Sequence, residues 1–187
     1  MKSQISNLLL LPLLALLPAC SRPVVADPLT QRFGGNAPEA QLNFWHELAL
    51  RPLASNDEAF HALLLYTDGA DPAADYAARV TALRSRSLIP AGFDRPAAEA
   101  VERGTLAVAV ARILQVRGGL MLHVAPTSPR YATRELVYRG IYPPSSPHQP
   151  FSGAELVGVI GKLEDVQRGN PNTAPAALLP DEANPRP

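Results

Sequence analysis

A clear helical signal lies between residues 55 and 69, which read Ser55-Asn-Asp-Glu-Ala-Phe-His-Ala-Leu-Leu-Leu-Tyr-Thr-Asp-Gly69. Ser55 followed three residues later by Glu58 is a capping box, in which each side chain binds a backbone amide at the start of a helix. Apolar residues then recur at helical spacing, and Asp-Gly ends the pattern. We therefore predict a helix over Asn56–Thr67, with Ser55 and Glu58 as its structural caps.

Similar signals predict five further helices on either side of this one. Ser152 and Glu155 form a second capping box before the last of them. A short extended piece is expected at Leu120–Val124. The sequence therefore predicts an all-α fold of six helices in three consecutive pairs. The other five helices are expected at Leu42–Arg51, Ala74–Arg86, Arg103–Gln115, Tyr131–Arg139 and Gly153–Gln167.

The three pairs share a pattern where their first helices end. Each has Leu-x-x-Arg, then a breaker or small residue, then an aliphatic residue, and each second helix begins on polar residues. Units of this size cannot bury an apolar face alone and are stabilised by stacking on one another. We therefore predict three pseudo-repeated helix-loop-helix units. The shared pattern occupies Leu48–Leu53, Leu83–Leu88 and Leu136–Ile141.

This pattern resembles the S-layer homology family, whose members usually have three helix-loop-helix repeats. The match covers Leu42–Gln167 and is best in the second unit, at Leu88-Ile-Pro90 and Glu102-Arg-Gly-Thr105. The third unit matches at Gly140-Ile-Tyr-Pro143 and at Phe151-Ser-Gly-Ala-Glu155. The resemblance implies a domain with a three-helix core that docks non-covalently on cell-wall polysaccharide.

The resemblance also implies a binding residue, because an Arg in the family's Thr-Arg-Ala-Glu motif lines the groove. A guanidinium suits this role since its planar fork pairs with acidic groups through two bonds. Only Arg103 stands at that place here, whereas Asn56 and Gly153 occupy the equivalent positions. We take Arg103 as a candidate ligand residue. Trp45 is a second candidate, which either stacks on a sugar ring or packs in the core.

The N-terminus resembles a bacterial lipoprotein signal. An apolar run at Leu8–Leu17 leads into Leu17-Pro-Ala-Cys20, and it is too short to span a bilayer, which takes about 20 residues. The resemblance implies that residues 1–19 are a signal peptide and that Cys20 is acylated, with palmitate among its acyl groups. Ser21 resembles an outer-membrane sorting signal, so we expect a lipid-anchored envelope protein, at the outer membrane of a Gram-negative cell.

Composition divides the remaining chain into three parts. Residues 20–41 are rich in Pro, Gly, Ala and Asn, which predicts a flexible tether behind the lipidated cysteine. Residues 42–167 hold the predicted helical domain. Residues 168–187 carry five prolines and few bulky apolar residues, which predicts a disordered tail.

Charge and motifs exclude several classes of protein. Lys plus Arg number 17 and Asp plus Glu number 17, so the chain has no basic footprint for nucleic acid. It contains no His-Glu-x-x-His and no Gly-x-Ser-x-Gly motif. Asp57 and Glu58 are adjacent carboxylates, but they lie in the first helical turn, where the macrodipole favours them. We predict no cofactor, and no metal site from the unpaired histidines His46, His61, His123 and His148.

These observations predict a non-catalytic envelope lipoprotein that binds a cell-wall polymer, such as polysaccharide or peptidoglycan, or an envelope protein, as an anchor or scaffold. One alternative is a helical protein–protein interaction subunit of an envelope complex without glycan affinity. Another is an envelope enzyme without a recognisable motif. A glycan site needs Arg103 in an open groove, a protein site needs an exposed apolar patch, and an enzyme needs titratable groups converging in a pocket.

Overall fold

The computed structural model describes residues 22–116 and 128–169, which form seven α-helices and, within those ranges, no β-strand. The all-α prediction is confirmed. The helices are α1 (Thr30–Phe33), α2 (Pro38–Ala49), α3 (Asn56–Asp68), α4 (Tyr76–Ser85), α5 (Arg103–Ile113), α6 (Pro129–Tyr138) and α7 (Gly153–Gly169).

All six predicted helices are present, and α1 is an additional short one. Helix α2 begins at Pro38, earlier than expected, because proline is well suited to the first helical turn. Both capping boxes form. The Ser55 hydroxyl accepts the Glu58 amide at 3.2 Å, and the Glu58 carboxylate accepts the Ser55 amide at 2.7 Å. Ser152 and Glu155 make the same two bonds at 3.2 and 3.0 Å.

The helix pairs pack in a cyclic order. Helix α4 packs on α3, α6 packs on α5, and α2 packs on α7. The first helix of each pair therefore rests on the second helix of the preceding pair, and the first pair rests on the last. The three helix pairs therefore contact one another in a closed cycle.

A ring of backbone hydrogen bonds joins the starts of α3, α5 and α7. The Ala54 amide donates to Phe151 O at 2.9 Å, the Phe151 amide to Val101 O at 3.1 Å, and the Val101 amide to Ala54 O at 2.9 Å. All three residues are fully buried and directly precede the N-cap of their helix. The ring joins three distant parts of the sequence, while descent from one repeated unit stays a prediction.

The shared Leu-x-x-Arg pattern has a consistent structural role in the second and third units. Leu83 and Leu136 are fully buried, and the amide five residues after each donates back to its carbonyl. This bond requires a left-handed residue in between, which is Ser87 in one unit and Gly140 in the other, at φ 55° and 70°. Pro52 stands at the matching position of the first unit, where its fixed negative φ prevents the same ending.

The prediction of a flexible tether over residues 20–41 is wrong from residue 22 onwards. The Val25 amide donates to Ala98 O at 2.7 Å, and the Leu29 amide donates to Glu58 Oε1 at 2.9 Å. Leu29 is fully buried beside the short helix α1. Apolar periodicity in this segment is weak, and its position is fixed instead by buried Val25 and Leu29 and by hydrogen bonds to distant residues.

Several predictions lie outside the described residues. They concern residues 1–21, with the signal peptide and Cys20, the extended piece with His123 at residues 120–124, and the tail from residue 170. Residues 168 and 169, assigned to the tail, instead belong to α7. Within the described ranges, no helix has the length and apolar character needed to cross a bilayer.

Candidate functional site

Arg103, the candidate ligand residue, lies inside a polar cluster at the start of α5. It is only 7% exposed. Its guanidinium donates to Ser145 Oγ at 2.7 Å and to Pro150 O at 3.3 Å, and it forms an ion pair with Glu155. The same group lies 5.0 Å from the centre of the Phe151 ring. These bonds within the protein contradict the open groove that a ligand role for Arg103 requires.

The two capping glutamates explain how distant segments are fastened to the helix starts. In each glutamate, one carboxylate oxygen closes the capping box. The second oxygen of Glu58 accepts a hydrogen bond from the Leu29 amide. The second oxygen of Glu155 accepts one from the Arg103 guanidinium. Burial alone would raise the pKa of Glu155, but the Ser152 amide and Arg103 outweigh it and lower that pKa. The predicted role of both glutamates as structural caps is confirmed, and each has a second structural partner.

A buried polar network, which sequence reasoning missed, connects α3, α4 and the loop between them. His61 Nδ1 lies 2.6 Å from Asp71 Oδ2. The Arg79 guanidinium donates to the same Asp71 oxygen at 2.5 Å and to Asp57 Oδ1 at 2.6 Å. The Thr30 hydroxyl donates to the other Asp57 oxygen. Asp57 is therefore a partner of Arg79 rather than only a charge at the helix start.

The Asp71 carboxylate has partners from several segments. Its Oδ1 accepts the Ala73 amide at 3.0 Å, while its own backbone exchanges two hydrogen bonds with the Asn36 side chain. Burial by itself would raise the pKa of Asp71, but hydrogen bonds from His61 and Arg79 hold that pKa below its ordinary value. Burial likewise opposes the charge of Arg79, yet the two aspartates raise its pKa.

His61 and Asp71 have the geometry of a hydrogen-bonded His–carboxylate pair, yet the second ring nitrogen does not reach a binding surface. His61 is fully buried, and its Nε2 has no hydrogen-bond partner among the described residues. The Phe44 ring stands at 90° to the imidazole with the centroids 4.6 Å apart. A substrate proton cannot reach this nitrogen in the described conformation, so the geometry supports a structural rather than a catalytic role.

Trp45, the second candidate residue, lines a shallow groove of about 340 Å³ between α2, α3 and α7. It is partly buried, and its ring packs on Phe44 with centroids 5.4 Å apart. The position is compatible with both predicted roles, because one part of the ring touches the core and another borders the groove. The apolar surface of the groove comes mainly from Trp45, Leu65, Tyr66, Val157, Ile160 and Gly161.

Tyr66 and Glu164 give this groove a polar edge. The Tyr66 hydroxyl donates to Gln167 Oε1 on the last turns of α7. Burial, with Glu164 nearby, raises the pKa of Tyr66 to about 12. The tyrosine is therefore a neutral hydrogen-bond donor at physiological pH.

A second, smaller cavity of about 170 Å³ lies between the N-terminal segment and the loop before α7. Arg22 pairs there with Glu99 at 3.0 Å and with Glu102 at 3.3 Å, while His148 Nδ1 lies 3.5 Å from Glu102. One guanidinium is therefore shared between two carboxylates at this cavity. Across the described ranges, no three His, Cys, Asp or Glu residues are grouped so that they could hold a metal ion.

Comparisons with protein-family models, with curated proteins and with solved structures found no match to this chain. The resemblances to S-layer homology repeats and to lipoprotein signals therefore remain predictions from the sequence. The described residues form an all-α domain with a ring of hydrogen bonds between three helix starts, a largely buried polar network and an apolar groove.

Proposed function

We propose that this protein is a non-catalytic module of the bacterial cell envelope, anchored through acylated Cys20, that binds a cell-wall polymer or an envelope partner as an anchor or scaffold. The observation that carries the proposal is the cyclic packing of three helix-loop-helix pairs around the hydrogen-bonded ring of Ala54, Val101 and Phe151. The S-layer homology resemblance implies three helix-loop-helix units, and three pairs that contact one another in a cycle are compatible with it. The wall-binding role is carried over from the S-layer homology family by analogy of fold.

The electrostatics of the domain also support a binding role. His61, Asp71, Arg79 and Asp57 satisfy one another in the interior, whereas a catalytic site needs such groups to converge on an accessible pocket. The hydrogen bonds and ion pairs of these four residues join α3, α4 and the loop between them. Because these elements are held together internally, the domain is suited to present a rigid surface to a partner.

The alternative of a protein–protein interaction subunit without glycan affinity has one observation in its favour. The groove bordered by Trp45 and Tyr66 is mostly apolar. Apolar surfaces with aromatic anchors are typical of protein contacts, whereas Arg103 is already bonded to Glu155 and Ser145. We therefore propose that wall binding uses other residues than Arg103.

Co-sedimentation with purified cell-wall sacculi tests wall binding. The protein starting at Ser21 is mixed with intact sacculi and, as a matched control, with sacculi stripped of their attached polysaccharide. We expect saturable pelleting with intact sacculi at moderate salt. Absence of pelleting at moderate salt would contradict the wall-binding form of the proposal and leave the protein-interaction alternative.

Two variants separate a ligand role of Arg103 from its structural role. Arg103→Ala removes the buried guanidinium, and Arg86→Ala removes an exposed one that pairs with Asp68 at 2.7 Å. Pelleting is compared at equal amounts of folded protein, as measured by circular dichroism. We expect both variants to pellet like the parent, and a loss confined to folded Arg103→Ala would restore this residue as a ligand.

Metabolic labelling tests the lipid anchor independently of any ligand. The precursor and its Cys20→Ser variant are expressed in a bacterium with a palmitate analogue, and membranes are separated from soluble fractions. We expect the label and the membrane association to depend on Cys20, since acyl chains supply the affinity for the bilayer. Labelling that persists in the variant would contradict the anchor.

A further inference from the structure

The N-terminal segment is held on the loop before α5 by two backbone hydrogen bonds, one on either side of Val24. The Ala100 amide donates to Pro23 O at 2.9 Å, and the Val25 amide donates to Ala98 O at 2.7 Å. The segment is therefore part of the folded domain from its first described residues.

One ion-paired side chain and two buried ones hold the same segment. The Arg22 guanidinium pairs with Glu99 at 3.0 Å and with Glu102 at 3.3 Å. Val25 and Leu29 are buried in the domain. The chain is thus fixed on the domain from Arg22 onwards, rather than connected to it by a long flexible stretch.

Only one residue separates Arg22 from Cys20. Two residues span at most about 7 Å even when fully extended, whereas a flexible tether over residues 20–41 would have a root-mean-square length of about 26 Å. The chains of an acylated Cys20 occupy the hydrocarbon core of the bilayer, so the residue itself lies at the boundary with the headgroups. Because the headgroup layer is about 5–8 Å thick, Arg22 then lies within this layer or at its outer edge.

The surface next to this link is exposed and includes part of a neighbouring loop. Pro23, Val24 and His148 are exposed, and the smaller cavity is lined by Arg22 and His148 among others. The anchor-side surface is defined by Arg22, Pro23, Val24 and His148. We propose that the short link to Cys20 holds the anchor-side surface against the lipid headgroups of the membrane, an inference that rests on the acylation of Cys20 in the proposed function.

The composition of the anchor-side surface is compatible with this position. Val24 is 65% exposed, and apolar side chains are favourable at the boundary between headgroups and acyl chains. Anionic headgroups repel carboxylates, but Glu99 is only 8% exposed and shares the Arg22 guanidinium with Glu102. A wall polymer or a protein partner then binds on another surface of the domain.

Quenching by lipid headgroups measures where the anchor-side surface lies. The full precursor with Val24→Cys is expressed in a bacterium, purified from membranes and labelled with a fluorophore at position 24, since the sulfur of Cys20, the single native cysteine, carries the lipid. It is reconstituted into vesicles of phosphatidylethanolamine and phosphatidylglycerol that include a lipid with a nitroxide on its headgroup. The matched control carries the same label and about 16 Gly and Ser residues inserted between Ser21 and Arg22, which add a reach of about 22 Å.

We expect the fluorophore to lose most of its emission in the protein with the native link and to keep most of it in the lengthened protein. Equal quenching in the two proteins, whether strong or weak, would overturn the proposal, because the short link would then not set the position of the domain. Labelling with the palmitate analogue distinguishes this failure from a failure of the anchor, since an unlabelled parent would contradict the acylation of Cys20 itself. Circular dichroism of both proteins excludes unfolding as the cause of a difference.

Discussion

At the scale of single residues, the internal charge network is the most consequential feature. Arg79 is the one guanidinium between the Asp57 and Asp71 carboxylates, and His61 closes the network at Asp71. Removing one partner of a buried ion pair leaves an uncompensated charge in a region of low polarity. The network therefore fixes the path of the chain between α3 and α4, as well as the partners of Thr30 and Asn36 in the N-terminal segment.

Replacing Arg79 by Met is expected to lower the free energy of unfolding by about 3–5 kcal/mol, because two buried carboxylates then face each other without a cation. Urea denaturation measures the change. The matched control is Arg86→Met, which breaks an exposed pair with Asp68 and is expected to cost less than about 1 kcal/mol. An equal loss of unfolding free energy in the two variants would show that the buried network stabilises the fold no more than an exposed ion pair does.

The lowered pKa of Asp71 predicts the direction of the acid response. Because the folded pKa lies below the ordinary value of about 3.9, Asp71 adds stability above that value, and this contribution is lost as the pH falls through the folded pKa. Urea midpoints between neutral pH and about pH 2 should therefore fall less steeply in Asp71→Asn than in the parent. Asp165→Asn, at an exposed pair with Arg168, should retain the steepness of the parent.

At the scale of elements, the helix ends decide where each helix pair turns. Capping boxes begin α3 and α7, and left-handed residues end α4 and α6. Ser87 and Gly140 make the same turn with different residues. A residue with a Cβ is strained in the left-handed region, whereas glycine adopts it readily.

Ser87→Gly is expected to stabilise the domain, because relief of about 1–2 kcal/mol of strain exceeds the entropy cost of about 0.4–1 kcal/mol for the added glycine. Gly140→Ala should destabilise it by a similar net amount, since an added Cβ meets no neighbouring atom and only the backbone conformation is affected. Thermal denaturation of both variants measures these effects. A gain in Gly140→Ala would contradict the argument.

At the scale of the whole molecule, the ring of Ala54, Val101 and Phe151 makes the three helix pairs dependent on one another. Each amide of the ring donates to a carbonyl at the start of the second helix of another pair. The first helix of each pair packs on the second helix of the preceding pair in the same cyclic order. One apolar cluster includes residues from every pair. Loss of one pair therefore exposes the others, so we expect the described domain to unfold as a single cooperative unit.

Native-state hydrogen exchange tests this cooperativity. The amides of Ala54, Val101 and Phe151 should exchange only through global unfolding, so their exchange free energies should equal the free energy of unfolding from urea. Amides of the exposed Ser145–Gln149 loop should exchange faster and serve as the internal comparison. A ring amide with clearly lower protection than the other two would indicate that one pair opens separately.

The sequence by itself determined the six longer helices, both capping boxes and the all-α class. These depend on residues three or four positions apart, so the chain carries the whole signal locally. Only the tertiary structure decided that Arg103 is bonded to Glu155, 52 residues away, that His61 and Asp71 meet in the interior, and that Leu29 fixes the N-terminal segment. Burial and ion pairing depend on which distant segments pack together, and helical spacing carries no information about those partners.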